Sequence, residues 1–169
     1  MTQVQTERVK NVSQATVERA MQGMYGLQLA VERSGLERSL LELVKMRASQ
    51  INGCAYCIDM HAKDARARGE SEQRLYLLNA WQESPFYSER ERAALAWTEA
   101  VTLVAEGHVP DAVYEEARRH FSDDELVDLT LAVAAINGWN RLNVALRTVP
   151  GSYQPAANGH RQEAPVAAD

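Results

Sequence analysis

Residues 36–69, which read LERSLLELVKMRASQINGCAYCIDMHAKDARARG, carry the clearest structural pattern in the chain. The first half of this stretch repeats apolar residues at intervals of three and four, which is the spacing of one helix face. These residues are Leu36, Leu40, Leu43, Val44 and Ile51. Gly53 ends that helix, and a second helical segment begins at Cys54 and closes at Gly69. The stretch therefore predicts two helices whose junction carries the cysteines.

The rest of the chain continues the helical pattern. Residues 1–84 contain no proline, and no stretch alternates apolar and polar residues as a strand does. Helices are predicted over residues 12–33, 36–52, 54–68, 71–81, 88–106 and 111–121, and through the strongly apolar stretch 129–136. Capping boxes at Ser88–Glu91 and Ser122–Glu125 mark the start of the helix over 88–106 and of the last helix. We predict an all-α, single-domain bundle of about six to seven helices over residues 1–149, with a mobile tail over 150–169.

Composition narrows the classes of function. The chain has 169 residues, 46% hydrophobic and 24% charged, which suits one globular domain. Its 18 Lys and Arg against 23 Asp and Glu give a net charge of −5, so we expect neither nucleic acid nor an anionic membrane as partner. The first ten residues lack the apolar core of a signal peptide. We expect a cytoplasmic protein.

The two cysteines lie on a shared helix face with a histidine. At about 100° per residue, Cys54, Cys57 and His61 fall within about 60° of one another. Helical side chains lean toward the N-terminus, so His61 points back over Cys57. Cys54 lies near the helix start, where unpaired N–H groups favour a thiolate. Both thiols thus have a local reason for thiolate character.

Three interpretations of this set remain open from the residues alone. The cysteines could be inert core residues beside a surface histidine, or three ligands of a zinc site. In the third, one thiolate is oxidised to a sulfenic acid and condenses with its neighbour to a disulfide. We favour the third. Gly-rich phosphate loops and dinucleotide fingerprints are absent from the sequence, so we expect no cofactor. Because we favour dithiol chemistry over the zinc site, we also expect no resident metal.

The run from Glu42 to His61, with CAYC between them, resembles the alkylhydroperoxidase D (AhpD)-like proteins of the carboxymuconolactone decarboxylase superfamily. The resemblance is strong over Leu36–Gly69 and extends less specifically over Leu126–Tyr153. It implies a helical antioxidant peroxidase that reduces hydroperoxides and forms a homotrimer or homohexamer. It also implies re-reduction of the enzyme by a thiol or by a lipoylated partner protein.

The same resemblance assigns the site residues. It makes Cys57 the peroxidatic cysteine, Cys54 the resolving cysteine, His61 the adjacent proton relay and Glu42 the outer base. Periodicity predicts instead that Glu42 is solvated, because it lies away from the apolar stripe of its helix. Tyr56 stands where the well-characterised family peroxidase has a second histidine, and a tyrosine is a poor proton shuttle at neutral pH.

Two other functions remain as alternatives. The dithiol could serve a non-enzymatic redox or metal sensor that changes a partner interface. Decarboxylase activity of the superfamily is the weaker alternative, because that branch lacks the cysteine pair.

In the last helix, Asn137 and Asn140 need buried partners, either in a structural network or as a pocket lining with Trp139 and Arg141.

Overall fold

The computed structural model describes residues 8, 9 and 11–155, and every regular element in this part of the chain is helical. Its α-helices are α1 (Gln14–Glu32), α2 (Arg38–Ile51), α3 (Ala55–Ala67), α4 (Glu72–Leu77), α5 (Glu89–Thr102), α6 (Val104–Gly107), α7 (Asp111–His120) and α8 (Asp123–Leu146). A 3₁₀ helix, Leu78–Glu83, follows α4. The predicted all-α class is confirmed. No helix in the described residues is long and apolar enough to cross a membrane.

Local capping signals set several helix boundaries. Ser88 and Ser122 begin α5 and α8 with capping boxes, in which each serine side chain accepts an N–H from the glutamate three residues later. Glu91 and Glu125 accept the serine N–H groups in return, both at 2.8 Å. These contacts involve neighbours in sequence, which is why the sequence predicts both helix starts correctly.

The predicted helix over residues 88–106 is instead two helices. Leu103 separates α5 from α6 with φ −97° and ψ 25°. The side-chain hydroxyl of the preceding residue, Thr102, accepts a hydrogen bond from Asn137 Nδ2 of α8 at 3.0 Å. The break therefore coincides with a tertiary contact that helical periodicity does not reveal.

Helix α2 lies between two apolar clusters. One cluster joins it to α1, α5, α7 and α8 around Leu129 and Val133, and the other joins it to α3, α4, α5 and the 3₁₀ helix around Leu78 and Leu95. Nine of the 14 residues of α2 are buried, including every residue from 40 to 46. A helix buried on so many sides fixes the position of whatever polar side chains it carries.

A buried amide network joins α8 to the end of α2, directly before the cysteines. Asn140 is fully buried and donates to Ser49 Oγ at 3.0 Å. Asn52 Nδ2 donates to Asn140 Oδ1 and to Asn137 Oδ1, each at 2.9 Å. The geometry thus gives Asn137 and Asn140 a structural role in docking the two helices.

The segment after α8 lies against α3. Gly151 N–H donates to Asp59 Oδ2 at 3.0 Å, and Lys63 Nζ donates to the Gly151 and Tyr153 carbonyls at 3.3 and 3.0 Å. The Tyr153 hydroxyl donates to Asp64 Oδ1 at 2.7 Å. Residues 150–155 of the predicted mobile tail therefore follow α3, while 156–169 lie outside the described residues.

Replacing the centre of the amide network should destabilise the protein. Asn140→Leu keeps the branched shape but removes the hydrogen bonds that Asn140 makes with Ser49 and Asn52, so the free energy of unfolding should fall by about 2 kcal/mol. Denaturant unfolding followed by circular dichroism measures the change. Val127→Ala on the same helix is the control, since Val127 is 68% exposed and should change stability by less than about 0.5 kcal/mol. Equal effects of both substitutions would contradict the network's role.

Candidate active site

The cysteines form a disulfide at the start of α3. Cys54 is the N-cap residue, and its sulfur accepts the backbone N–H of Cys57 at 3.4 Å. The two Cα atoms are 5.4 Å apart, within the usual range for a disulfide. The exposed fraction is 1% for Cys54 and 0% for Cys57. The pair is therefore both bonded and enclosed.

His61 follows one turn later on α3 and pairs with a carboxylate of α2. Its Nδ1 lies 2.8 Å from Glu42 Oε2, and both side chains are buried. With Nδ1 engaged by a carboxylate, Nε2 is the ring nitrogen left for another partner. Among the described residues, no hydrogen bond joins His61 to either sulfur of the disulfide. The structure thus pairs His61 with Glu42 and places it one turn after Cys57 on α3.

The prediction that Glu42 is solvated is wrong, because its exposed fraction is only 6%. Its second oxygen, Oε1, lies 3.1 Å from Lys45 Nζ and 3.0 Å from Arg68 Nη1 at the end of α3. Helix α3 packs over the face of α2 that periodicity assigned to solvent. The burial is achieved within one chain and requires no second subunit.

The environment of Glu42 favours its charged form. Burial by itself raises the pKa of Glu42, but the charge and hydrogen bond of His61 and those of Lys45 outweigh that effect. Together they hold the pKa of Glu42 well below its ordinary value of 4.5. The buried carboxylate is therefore an anion at neutral pH, and it remains available as a partner for His61.

A cation is a poor fit to this cluster. Ligand atoms of Glu42, His61 and Asp64 lie within 4.8 Å of one another. However, Glu42 Oε1 already contacts the cations Lys45 and Arg68, and Asp64 accepts the hydroxyl of Tyr153. The positive charges needed to neutralise the cluster are thus supplied by the protein's own side chains.

Glu42 also borders a surface cleft of about 320 Å³. The cleft lies between the ends of α3 and α5 and is lined by Arg68, Glu70, Arg74 and Glu91. Its lining includes Glu42 but neither cysteine, so the buried carboxylate borders the cleft and the disulfide does not.

Other residues singled out in the sequence lie outside this pair. Tyr56 is partly buried, and its hydroxyl has no hydrogen bond among the described residues. Arg47 points to α5, where its Nε lies 2.8 Å from Glu99 Oε1. Arg141 is exposed and donates to Asn137, while the ring of Trp139 packs 5.7 Å from that of Tyr25.

Sequence reasoning missed Asn143, whose Nδ2 lies 3.6 Å from Cys57 Sγ. The available signal was the repeat of asparagines three residues apart at 137, 140 and 143. Arg68 was also missed, because a charged residue near a helix end usually remains in solvent. Both residues come to the site through helix packing.

A helical bundle that sets a Cys-x-x-Cys pair beside a buried glutamate–histidine pair defines the AhpD-like class. The sequence profile of the carboxymuconolactone decarboxylase family matches residues 15–100, which include Glu42, both cysteines and His61. The chain belongs to this family and is AhpD-like within it. Its all-α fold and its cysteine pair both agree with that membership.

Three relatives illustrate the similarity. The uncharacterized protein YdfG of Bacillus subtilis is 46% identical over 126 residues, covering 75% of this chain and 86% of YdfG. A crystal structure of ATU0492 from Agrobacterium tumefaciens, a protein of unknown function and candidate antioxidant defence protein AhpD, is 44% identical with a TM-score of 0.78, covering 89% of this chain and 99% of that one. A peroxidase-related protein from Silicibacter sp. TM1040 is 25% identical with a TM-score of 0.69, covering 82% and 72%.

Neutralising Glu42 should destabilise the protein in a pH-dependent way. Glu42→Gln leaves buried Lys45 and His61 without their counter-ion, so the free energy of unfolding should fall by about 3 kcal/mol at neutral pH. The folded-state pKa of Glu42 is depressed, so its stabilising contribution is present above 4.5 and is lost as pH falls below that value. Chemical denaturation of both proteins across this range should show the difference shrinking on acidification.

Glu116→Gln provides the matched control. Glu116 contacts Arg119 at 2.7 Å and His120 at 3.2 Å, but its side chain is 41% exposed. Its substitution should cost less than about 0.5 kcal/mol. A difference between wild type and Glu42→Gln that stays constant from neutral to acidic pH would show that Glu42 is not held as a buried anion.

Proposed function

We propose that the protein is a thiol-dependent hydroperoxide reductase of the AhpD-like type, with an antioxidant role. One observation carries the proposal: a buried Cys54–Cys57 pair lies one helical turn from His61, whose Nδ1 is 2.8 Å from buried Glu42. A dithiol alone is compatible with many roles. A dithiol next to a histidine with an oriented ring provides both a sulfur nucleophile and a group that transfers protons, which thiol oxidation by a hydroperoxide requires.

In the first step, the Cys57 thiolate attacks the terminal oxygen of a hydroperoxide. A sulfur–oxygen bond forms, the oxygen–oxygen bond breaks, and the organic fragment leaves as an alkoxide. The alkoxide takes a proton to become an alcohol. His61 supplies that proton through Nε2, while Nδ1 stays bonded to Glu42, so the carboxylate holds the ring in a fixed orientation.

In the second step, the Cys54 thiolate attacks the sulfur of the Cys57 sulfenic acid. A disulfide forms and the sulfur–oxygen bond breaks, and the departing hydroxide is protonated to water. Two thiols and one hydroperoxide thus give a disulfide, an alcohol and water. An external dithiol, free or as a lipoyl group on a partner protein, returns two electrons and two protons. Such a cycle suits the reducing cytoplasm.

The same proposal includes assembly into a homotrimer or homohexamer through α1. Of the 19 residues of α1, only Gln28 and Val31 are buried, so a single chain leaves most of this helix uncovered. Val17, Tyr25 and Leu29 are 44, 51 and 45% exposed. A second copy of the chain is the occupant that would cover this face, because the face is apolar and the resemblance implies identical subunits.

The peroxidase proposal predicts different oxidation products in cysteine variants. Reduced wild-type protein treated with about one equivalent of tert-butyl hydroperoxide should lose two hydrogen atoms as the disulfide forms. Cys54→Ser should stop at a sulfenic acid that dimedone traps, because the resolving thiol is gone. Cys57→Ser should remain unoxidised. Intact mass spectrometry after thiol trapping measures all three outcomes.

Histidine variants provide the matched control for the relay. His61→Gln should slow sulfenic acid formation by about a hundredfold. His120→Gln should leave the rate unchanged, because His120 pairs with Glu116 on α7. If both thiols of wild-type protein stay reduced and alkylatable, the peroxidase proposal fails. Bound metal measured in that same protein would then favour the sensor alternative.

Placing a charge on the uncovered face of α1 should dissociate the oligomer. Leu29→Glu introduces a charge into the apolar face and should lower the molar mass from three or six times that of one chain toward that of a single chain. Size-exclusion chromatography with light scattering measures the mass. Tyr76→Glu on α4 is the control, since Tyr76 is 74% exposed on another surface. A wild-type protein that is monomeric would contradict this part of the proposal.

A further inference from the structure

Helix α8 brings an amide to the sulfur of Cys57. Asn143 Nδ2 lies 3.6 Å from Cys57 Sγ and 2.9 Å from the carbonyl oxygen of Trp139. A main-chain carbonyl only accepts hydrogen bonds, so it fixes which end of the amide is the nitrogen. One amide hydrogen is used by that carbonyl, and the second is left for the sulfur.

The position of Asn143 is set by the rest of its helix. Asn140 and Asn137, one and two turns earlier, bond to Asn52 at the junction of α2 and α3. Asn140 also bonds to Ser49 of α2. These contacts hold α8 in register over the start of α3, where Cys57 lies. The amide of Asn143 is thus delivered by a docked helix and by a bond to its own main chain.

We propose that Asn143 is a hydrogen-bond donor to the reacting sulfur of Cys57, which it holds in the thiolate form and in a fixed direction. The inference rests on the proposed function for its catalytic meaning. A donated N–H stabilises an anionic sulfur more than a neutral thiol. The need for a donor is strong here, because the exposed fraction of Cys57 is 0% and water cannot supply one.

Asn143 supplies what the helix start does not. The N-cap position belongs to Cys54, whose sulfur accepts the N–H of Cys57 at 3.4 Å. Cys57 lies inside the first turn and receives no main-chain hydrogen bond at its sulfur among the described residues. The structure therefore stabilises the two sulfurs differently, one by the helix start and the other by Asn143. Asn143 transfers no proton and forms no covalent bond.

Charged groups on the elements packed around Cys57 also affect its ionisation. They are Glu42, Lys45 and Arg47 of α2, Asp59, His61, Lys63 and Asp64 of α3, and Arg141 of α8. None of them has a hydrogen bond to Asn143 among the described residues. A substitution at position 143 therefore leaves these charges in place, and a change in Cys57 ionisation reports the amide itself.

The test uses full-length protein with Cys54→Ser, so that Cys57 is the single thiol. Ultraviolet absorbance of the thiolate, titrated against pH and corrected with a protein lacking both thiols, gives the pKa of Cys57 without requiring a reagent to reach the sulfur. Asn143→Leu should raise that pKa by about one unit, so the thiolate fraction below it falls about tenfold. Asn143→Asp, of nearly equal shape, should raise it at least as much, because a carboxylate replaces the donor.

Val144→Ala is the matched control, because Val144 is the neighbour of Asn143 on α8 but is 48% exposed and has no side-chain hydrogen-bond donor, so this substitution should leave the pKa of Cys57 unchanged. In the two Asn143 variants, the rate of sulfenic acid formation with tert-butyl hydroperoxide should fall in proportion to the decrease in the thiolate fraction of Cys57. An unchanged titration in both Asn143 variants would overturn the inference. A shifted titration in a protein that never forms the sulfenic acid would support the Asn143 contact and reject the proposed peroxidase function.

Discussion

The buried carboxylate of Glu42 is the constraint on which the site depends. It is almost fully enclosed, and an isolated buried charge would be too costly to retain. Three groups offset that cost: Lys45 from the same helix, His61 from the middle of α3 and Arg68 from its end. Because two of these lie on α3, neutralising the charge also sets how α3 packs on α2. The same ionic contacts therefore neutralise Glu42 and hold α3 against α2.

The other end of the site is fixed by uncharged groups. Asn52, Asn137 and Asn140 join α8 to the last turn of α2, and Asn143 then contacts Cys57. The cysteines thus lie between an ion network on one side and an amide network on the other. Networks of this kind specify one arrangement because each buried polar group left without a partner would cost about 1–3 kcal/mol. In the proposed redox cycle, such a frame would return the dithiol to the same geometry after each turnover.

The sequence was sufficient for features that depend on neighbours along the chain. Capping boxes at Ser88 and Ser122 and the common helix face of Cys54, Cys57 and His61 are local properties, and the structure reproduces the helix starts. The sequence was insufficient for features that depend on contacts with another helix. The burial of Glu42 required knowing that α3 covers that face of α2, and the break at Leu103 coincides with a contact to α8. Periodicity describes one helix at a time and therefore cannot predict such effects.

Enclosure of the disulfide has a consequence for the reductive half of the proposed cycle. A thiolate reduces a disulfide only by reaching one of its sulfurs, and both sulfurs are at most 1% exposed. An outside thiol therefore requires a local opening. The ion network holds α3 to α2, whereas the uncharged contacts hold α8 over Cys57. Separating ions in a low-dielectric interior costs more than separating amides, so an opening on the α8 side leaves the Glu42–His61 pair intact. The relay would then be preserved while the sulfurs are reached.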